Sequence, residues 1–333
     1  MAKLMLGVET SCDDTAAAVV TEDLEVLSNV VSRQLEAHSR YGGVVPEIAG
    51  RVHVAEVIPV ISKAMDIAGV SGKDLTAVAV TKGPGLIGSL LVGVSAAKAL
   101  ALAWNKPLIG VNHLEGHLAS AALGENAIEY PCLILLVSGG HSLLARVSSP
   151  GSYLVLGSTR DDSVGEAYDK VARLLKLGYP GGPVLDRLAS EGTDVLRFPR
   201  PLMREGLDFS FSGLKSAVAN YVRRGEGHQV ADVAASFVAA VMDVLLAKLE
   251  LALDRFHYRS VVVVGGVAAS PVLRERLSGL GDRRNIKICL PPLAMATDNA
   301  AMIAAAAWPQ FRATGADALD LGVDPRLKLP EEA

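Results

Sequence analysis

The feature that most limits what this chain can become is an order of elements that occurs twice. Apolar runs at 4–9 and 15–20 flank the polar turn Thr10-Ser11-Cys12-Asp13-Asp14, the pattern of a β-hairpin, and 24–32 continues as a third strand. Helical periodicity then spans about 47–68, with Pro59 expected to kink it. A strand at 77–81, a small-residue helix ending at Trp104, a strand at 108–111 and a short helix through His113 complete the first half. In the second half, strands at 132–137 and 142–147 flank Ser138-Gly139-Gly140-His141, and 153–157 supplies the third. Ser163 opens a helix through a capping box with Glu166, ending near Gly178. An irregular stretch rich in Pro, Gly and Arg (179–225) precedes a long amphipathic helix at 230–256. Then come a strand at 260–264, a helix opened by Ser270-Pro271, a strand at 287–290 and an Ala-rich helix from Asn299.

Three hairpin-linked strands followed by helix, strand, helix, strand, helix, twice over, is the signature of an α/β protein. The expected architecture is two ribonuclease-H-like lobes with a ligand cleft between them. The expected lobes are 1–129, with 300–333 packing back on it, and 130–299, carrying the insertion 179–225. At 333 residues the chain is long enough for roughly two domains. Half of it is hydrophobic, much of that Ala and Val, as buried parallel strands require. A net charge of −4 gives no basic surface overall, so a nucleic-acid partner would need a local patch or a surface shared with another protein. The three cysteines, Cys12, Cys132 and Cys289, are widely spaced with no Cys-x-x-Cys, a reducing-compartment pattern. The apolar run after Lys3 is too short for a signal peptide. Longer ones are broken by Lys98, or by Asp232, Asp243 and Lys248, so the expectation is a cytoplasmic protein that spans no membrane.

The chemistry is concentrated in a few places. His113 and His117, four residues apart, lie about 40° from each other round a helix, so both rings can face one metal ion if a third ligand arrives. They are equally readable as two unrelated side chains. Glu115 projects roughly 200° from His113, away from that face, which disfavours a metallopeptidase. Asn112 as N-cap with Glu115 in a capping box explains it better. Asp298 could supply the third ligand, from the second half, or could cap the Ala-rich helix.

Glycine-rich turns at Gly83-Pro84-Gly85, Ser138-Gly139-Gly140, Gly181-Gly182-Pro183 and Gly265-Gly266 abut buried strands, where a nucleotide phosphate can meet backbone N–H groups. No P-loop is present. Asp169 can hold a ribose hydroxyl or pair with Arg173, and Ser270 reads as an N-cap. Asp13 and Asp14 are ordinary turn residues, or general-base or phosphate-site candidates if they face a ligand. Arg197, Arg200, Arg204, Arg223 and Arg224 gather round the insertion, either as a solvated face or as RNA-phosphate contacts.

These stretches together resemble one family. Glu9-Thr10-Ser11-Cys12-Asp13-Asp14-Thr15, Gly83-Pro84-Gly85-Leu86, His113 to His117, and Leu136-Val137-Ser138-Gly139-Gly140-His141 match its motifs. So do Gly178 to Pro183, Phe209 to Lys215, and Thr297-Asp298-Asn299. The family is the bacterial TsaD proteins, tRNA N6-adenosine threonylcarbamoyltransferases once described as glycoprotein endopeptidases. The resemblance implies an actin/Hsp70/sugar-kinase superfamily fold and one bound iron or zinc ion. It implies threonylcarbamoyl-adenylate as donor substrate and adenosine 37 of tRNAs reading codons that begin with A as acceptor, with AMP released. It further implies a TsaB-like paralogue and a TsaE-like ATPase as partners, with helix 47–68 a candidate docking face.

By the same resemblance His113, His117 and Asp298 would be metal ligands. Leu136, Val137, Ser138, Gly139, Gly140, Asp169, Gly182 and Asp186 would line the adenylate site, and Asp13 would sit near the reacting centre. Ser270 stands where the family usually has Asn, offering one hydroxyl in place of an amide. Rival readings are an ATP-dependent small-molecule kinase of the same superfamily, a metallopeptidase, and a non-catalytic assembly scaffold.

Overall fold

Every residue of β1 (Leu4–Glu9) is buried, as a strand covered on both faces must be. It pairs antiparallel with β2 (Asp14–Thr21), which pairs antiparallel with β3 (Val26–Arg33). The short helix α1 (Leu35–Ser39), which periodicity did not signal, leads to α2 (Pro46–Ala68). On its other side β1 pairs parallel with β4 (Ala77–Gly83). After α3 (Ile87–Trp104), β5 (Leu108–Asn112) adds in parallel beside β4 and runs directly into α4 (His113–Ser120). The sheet order is β3-β2-β1-β4-β5.

The second sheet is built from β6 (Cys132–Val137), β7 (Ser142–Ser149) and β8 (Ser152–Ser158), an antiparallel meander. Helices α5 (Val164–Leu174), α6 (Gly181–Glu191), α7 (Ser212–Arg224) and α8 (Val230–Arg255) follow. Strand β9 (Ser260–Val264) then lies parallel to β6, α9 (Pro271–Arg284) follows, and β10 (Lys287–Cys289) closes the edge. Read from its meander edge the order is β8-β7-β6-β9-β10, the same arrangement as in the first sheet. The doubled element order is therefore a doubled ribonuclease-H-like topology.

The computed structural model describes residues 2–124, 127–225, 227 and 229–330. It divides into a unit of Met1–Ala127 with Pro291–Pro330 and a unit of Ile128–Leu290. The chain returns to the first unit at Pro291, earlier than residue 300, because Met295 already packs against the first sheet's core beside α10 (Ala300–Thr314). Asp298 thus belongs to the same unit as the two histidines. Residues 331–333 of the expected return segment lie outside the described residues.

In the first unit the strand alternation sorts two cores. Leu4, Leu6 and Val8 face α2 and α3, while Met5 joins Ile109, Val111 and the alanines of α10. Gly7 is what lets α10 come so close. A Cβ there would sit 2.3 Å from the Ala300 carbonyl oxygen, so a side chain would push the helix start off the strand.

Helix α2 runs through Pro59 as one element, anchored by its buried face (Val57, Val60, Ile61, Ala64). One local expectation needs correcting. The stretch 179–225 holds two helices. Pro180 is the N-cap of α6 and Gly181, Gly182 and Pro183 form its first turn, where a missing N–H or a small residue costs little, so they mark a helix start. The segment between α6 and α7 is tied down by the buried Lys248 of α8. Its Nζ donates to the carbonyls of Leu202, Glu205 (2.8 Å) and Gly206 (2.9 Å). Helices α3 and α8 are both long and apolar enough to cross a membrane. In α8, 67% of the apolar window is buried in the second unit's core, and α3 packs on β4 and α2.

Candidate functional site

Parallel strands β1, β4 and β5 end side by side, and each delivers a polar group at its C-terminal end: Glu9, Thr81 and the Asn112-His113 junction. The Asn112 side chain accepts the Leu114 N–H at 2.9 Å, so α4 begins where the capping reading placed it. Both rings of α4 are then buried, their centroids 4.6 Å apart and their planes at 76°.

Asp298 arrives from the segment before α10. The capping role that competed for it falls to Asn299, whose Oδ1 accepts the Met302 N–H at 3.0 Å. The Asp298 carboxylate instead faces the histidines, with Oδ1 3.6 Å from His113 Nε2 and 3.2 Å from His117 Nε2. The ligand-type atoms of all three residues lie within 4.8 Å of one another, so the set could hold a metal ion. Bonds of about 2.0–2.1 Å to a tetrahedral zinc would put ligand atoms roughly 3.3 Å apart, close to both carboxylate spacings.

A second observation fits an ion as well. Neither nitrogen of the buried His117 ring makes a hydrogen bond of acceptable geometry to a described residue. Burial of such a group without a partner costs about 1–3 kcal/mol, which a metal bond would remove. Glu115 is half-buried and outside the set.

The surrounding charges act on one another. Burial alone would strip His113 of its proton, but the adjacent Glu9 carboxylate and then Asp298 outweigh it and hold the imidazole up to about 9. Burial works to raise the Glu9 carboxyl, and the His113 charge and hydrogen bond overcome that and keep it below its ordinary value. In the β1–β2 turn, burial, helped by the charges of Asp298 and Asp13, pushes the Asp14 carboxyl up to about 7. Asp13 occupies the same turn, which His53 of α2 fastens from below. Its Nε2–H donates to the Cys12 carbonyl (2.9 Å) while Nδ1 accepts from the Thr15 hydroxyl (2.8 Å).

The remaining expected site residues all lie in the second unit. Leu136 and Val137 are fully buried in the sheet between β7 and β9, so they position the turn that follows. Ser138-Gly139-Gly140 is that turn. Ser138 Oγ accepts the His141 N–H (3.1 Å), and the carbonyls of Ser138 and Gly139 take up Gly165 N–H (3.2 Å) and Ser163 Oγ (2.5 Å). The start of α5 is thereby held against the turn. Among the described residues the N–H groups of Gly139 and Gly140 have no acceptor, and a side chain at either would meet open space.

Asp169 of α5 accepts the Gly181 N–H at 2.8 Å, fixing the first turn of α6 and the open Gly182. Asp186 receives the Tyr168 hydroxyl at 3.4 Å and the Ser270 hydroxyl, and burial raises its carboxyl above the ordinary value. Ser270 also accepts the Leu273 N–H as N-cap of α9. Of the arginines near the insertion, Arg200 is occupied by Asp194, Asp243 and the Phe198 carbonyl, whereas Arg197, Arg204 and Arg223 are exposed.

The family model described as TsaD, tRNA N6-adenosine threonylcarbamoyltransferase, matches residues 25–305. The chain is 51% identical over 335 residues to the protein of that name from Halalkalibacterium halodurans, covering 99% of this chain and 97% of that one. The chain belongs to this family. The tRNA N6-adenosine threonylcarbamoyltransferase of Streptococcus suis is 50% identical over 330 residues, with 98% and 97% covered. Among solved structures, component A of the Acidaminococcus fermentans (R)-2-hydroxyglutaryl-CoA dehydratase superposes with a TM-score of 0.57 at 15% identity, covering 92% of this chain and 98% of that one. HypF of T. kodakarensis gives 0.63 at 16%, covering 93% of this chain and 47% of that one. At such identities these two share the fold only.

One residue of the family motifs was passed over in the sequence. Glu9 reads there as the end of a strand, and only its fully buried position marks it as more. The signal was an acidic residue closing an otherwise apolar central strand, which demands a partner.

Proposed function

We propose that this member of the family transfers the threonylcarbamoyl group of threonylcarbamoyl-adenylate to N6 of adenosine 37 in tRNAs reading codons that begin with A, releasing AMP. The convergence of His113, His117 and Asp298 carries this reading, because an ATP-dependent kinase of the same fold has no use for it. The position of Glu115 leaves a peptidase without its base. An iron or zinc ion held by the triad would supply Lewis-acid polarisation of the acyl carbonyl.

The rest falls to the chain's own groups. The donor is a mixed anhydride, already activated, so the N6–carbonyl bond forms as the carbonyl–oxygen bond to AMP breaks. The free N–H groups of Gly139 and Gly140, with the start of α5 behind them, suit the adenylate phosphate. Asp169, Gly182, Asp186 and Ser270 form the remainder of the nucleotide site. Asp13 is the candidate to take the N6 proton, and positioning the two reactants contributes several kcal/mol, roughly, to the rate. No Cys–His pair is in evidence among the described residues, in keeping with direct transfer.

The protein works in the cytoplasm with tRNA, a TsaB-like paralogue and a TsaE-like ATPase. For the paralogue the outward face of α2 is the docking surface. Val54 is 66% and Ile58 53% exposed, beside a groove of about 370 Å³ lined by Val54, Val57, Leu91, Val92 and Ser95.

The test is transfer from synthetic threonylcarbamoyl-adenylate to unmodified tRNA, with the partners present, read by mass spectrometry of the nucleosides. Wild type should form one modified adenosine per AMP released, and His113→Ala or Asp298→Ala should lower the rate about 100-fold or more. Full activity in either variant overturns the reading.

A further inference from the structure

We infer that Glu9 is a positioning residue: it fixes the tautomer and tilt of His113, so that Nε2 carries the lone pair offered to the metal. The inference rests on the metal centre proposed above and adds to it a residue that binds no metal itself.

The geometry is specific. Glu9 is 0% exposed, and its carboxylate is held by three donors. Oε1 accepts the Ser11 N–H, and Oε2 accepts the Thr81 hydroxyl at 2.6 Å. Oε2 also stands 3.0 Å from His113 Nδ1, with Ser11 Oγ 3.1 Å from the same nitrogen. Thr81 has one hydroxyl proton and spends it on Glu9, so Glu9 Oε2 is left to accept from the ring. His113 must therefore carry its hydrogen on Nδ1, and Nε2, the atom nearer Asp298, becomes the donor atom.

The sheet order explains the arrangement. Glu9 ends β1, Thr81 lies near the end of β4, and His113 follows β5, so three adjacent parallel strands bring carboxylate, hydroxyl and ring into one line. A buried carboxylate behind a ligating imidazole orients the ring and raises its basicity. Among the described residues His117 has no such partner, so the two rings are not equivalent: one is fixed by the protein and the other is left to the metal.

The probe is Zn²⁺ alone, titrated into metal-free protein against a competing chelator. Glu9→Gln, which keeps the shape but removes the charge, should weaken binding about 10–100-fold, and Thr81→Val, which frees Oε2 from its lock, should weaken it by a smaller factor. Nitrogen-15 spectra of the zinc-loaded wild type should show the His113 hydrogen on Nδ1 in a strong hydrogen bond, and Glu9→Gln should lose that signature while circular dichroism stays unchanged. A general packing role for Glu9 would not alter the tautomer. Equal zinc affinity and an unchanged His113 spectrum in Glu9→Gln would overturn the inference alone. Failure of wild type to bind Zn²⁺ would overturn the metal centre and the inference with it.

Discussion

Among single residues, Asp14 gives the clearest pH dependence. Its carboxyl ordinarily titrates near 3.8 and in the fold is pushed up to about 7, by burial first and by the Asp298 and Asp13 charges next. The folded state therefore holds a proton that the unfolded chain gives up earlier. The stability tied to that proton is fully present below pH 3.8 and is lost as pH rises through about 7. In metal-free protein, Asp14→Asn should be more stable than wild type at pH 8, by about 2 kcal/mol, and no more stable at pH 4. Denaturant melts at the two pH values measure this, and a pH-independent difference would contradict it. The same residue scale shows why Asp298 was ambiguous in the sequence. Asp298 and Asn299 are both good caps, and in the fold Asn299 takes the helix while its neighbour turns to the histidines.

At the scale of elements, the site depends on how closely α10 lies on β1. The approach at Gly7 leaves no room for a Cβ, with the Ala300 carbonyl oxygen 2.3 Å and the Ala304 nitrogen 3.0 Å away. Gly7→Ala should cost about 1–3 kcal/mol by overpacking, and should also weaken zinc binding by displacing the segment that carries Asp298. A variant that lost stability yet bound zinc as wild type does would break the proposed link between packing and site. Helix α2 has two separate duties on two faces: inward, His53 holds the turn of Asp13, and outward, Val54 and Ile58 are left to solvent. Val54→Asp or Ile58→Asp should therefore abolish measurable binding of the TsaB-like partner in analytical ultracentrifugation, with melting temperature and zinc affinity unchanged. Undiminished partner binding would move the docking face elsewhere.

At the scale of the whole molecule, the two halves share a topology that periodicity made legible, because strand and helix periods differ and the order repeats. The capping residues Asn112, Ser163 and Ser270 were legible for a local reason: each bonds an N–H two or three positions ahead. Helix α6 was hidden, since Pro180, Gly181, Gly182 and Pro183 signal a break by composition and a helix start only in context. Glu9 was hidden because its partners Thr81 and His113 are 72 and 104 residues away, a relation no local pattern contains.

The central claim is that His113, His117 and Asp298 hold one metal ion on which function depends. Its most direct measurement is the metal content of purified protein by mass spectrometry of the elements, for wild type, His117→Ala and Asp298→Ala. The account predicts one iron or zinc per wild-type chain and almost none in either variant, with circular dichroism unaltered. A full complement of metal in both variants, or none in active wild type, would contradict it.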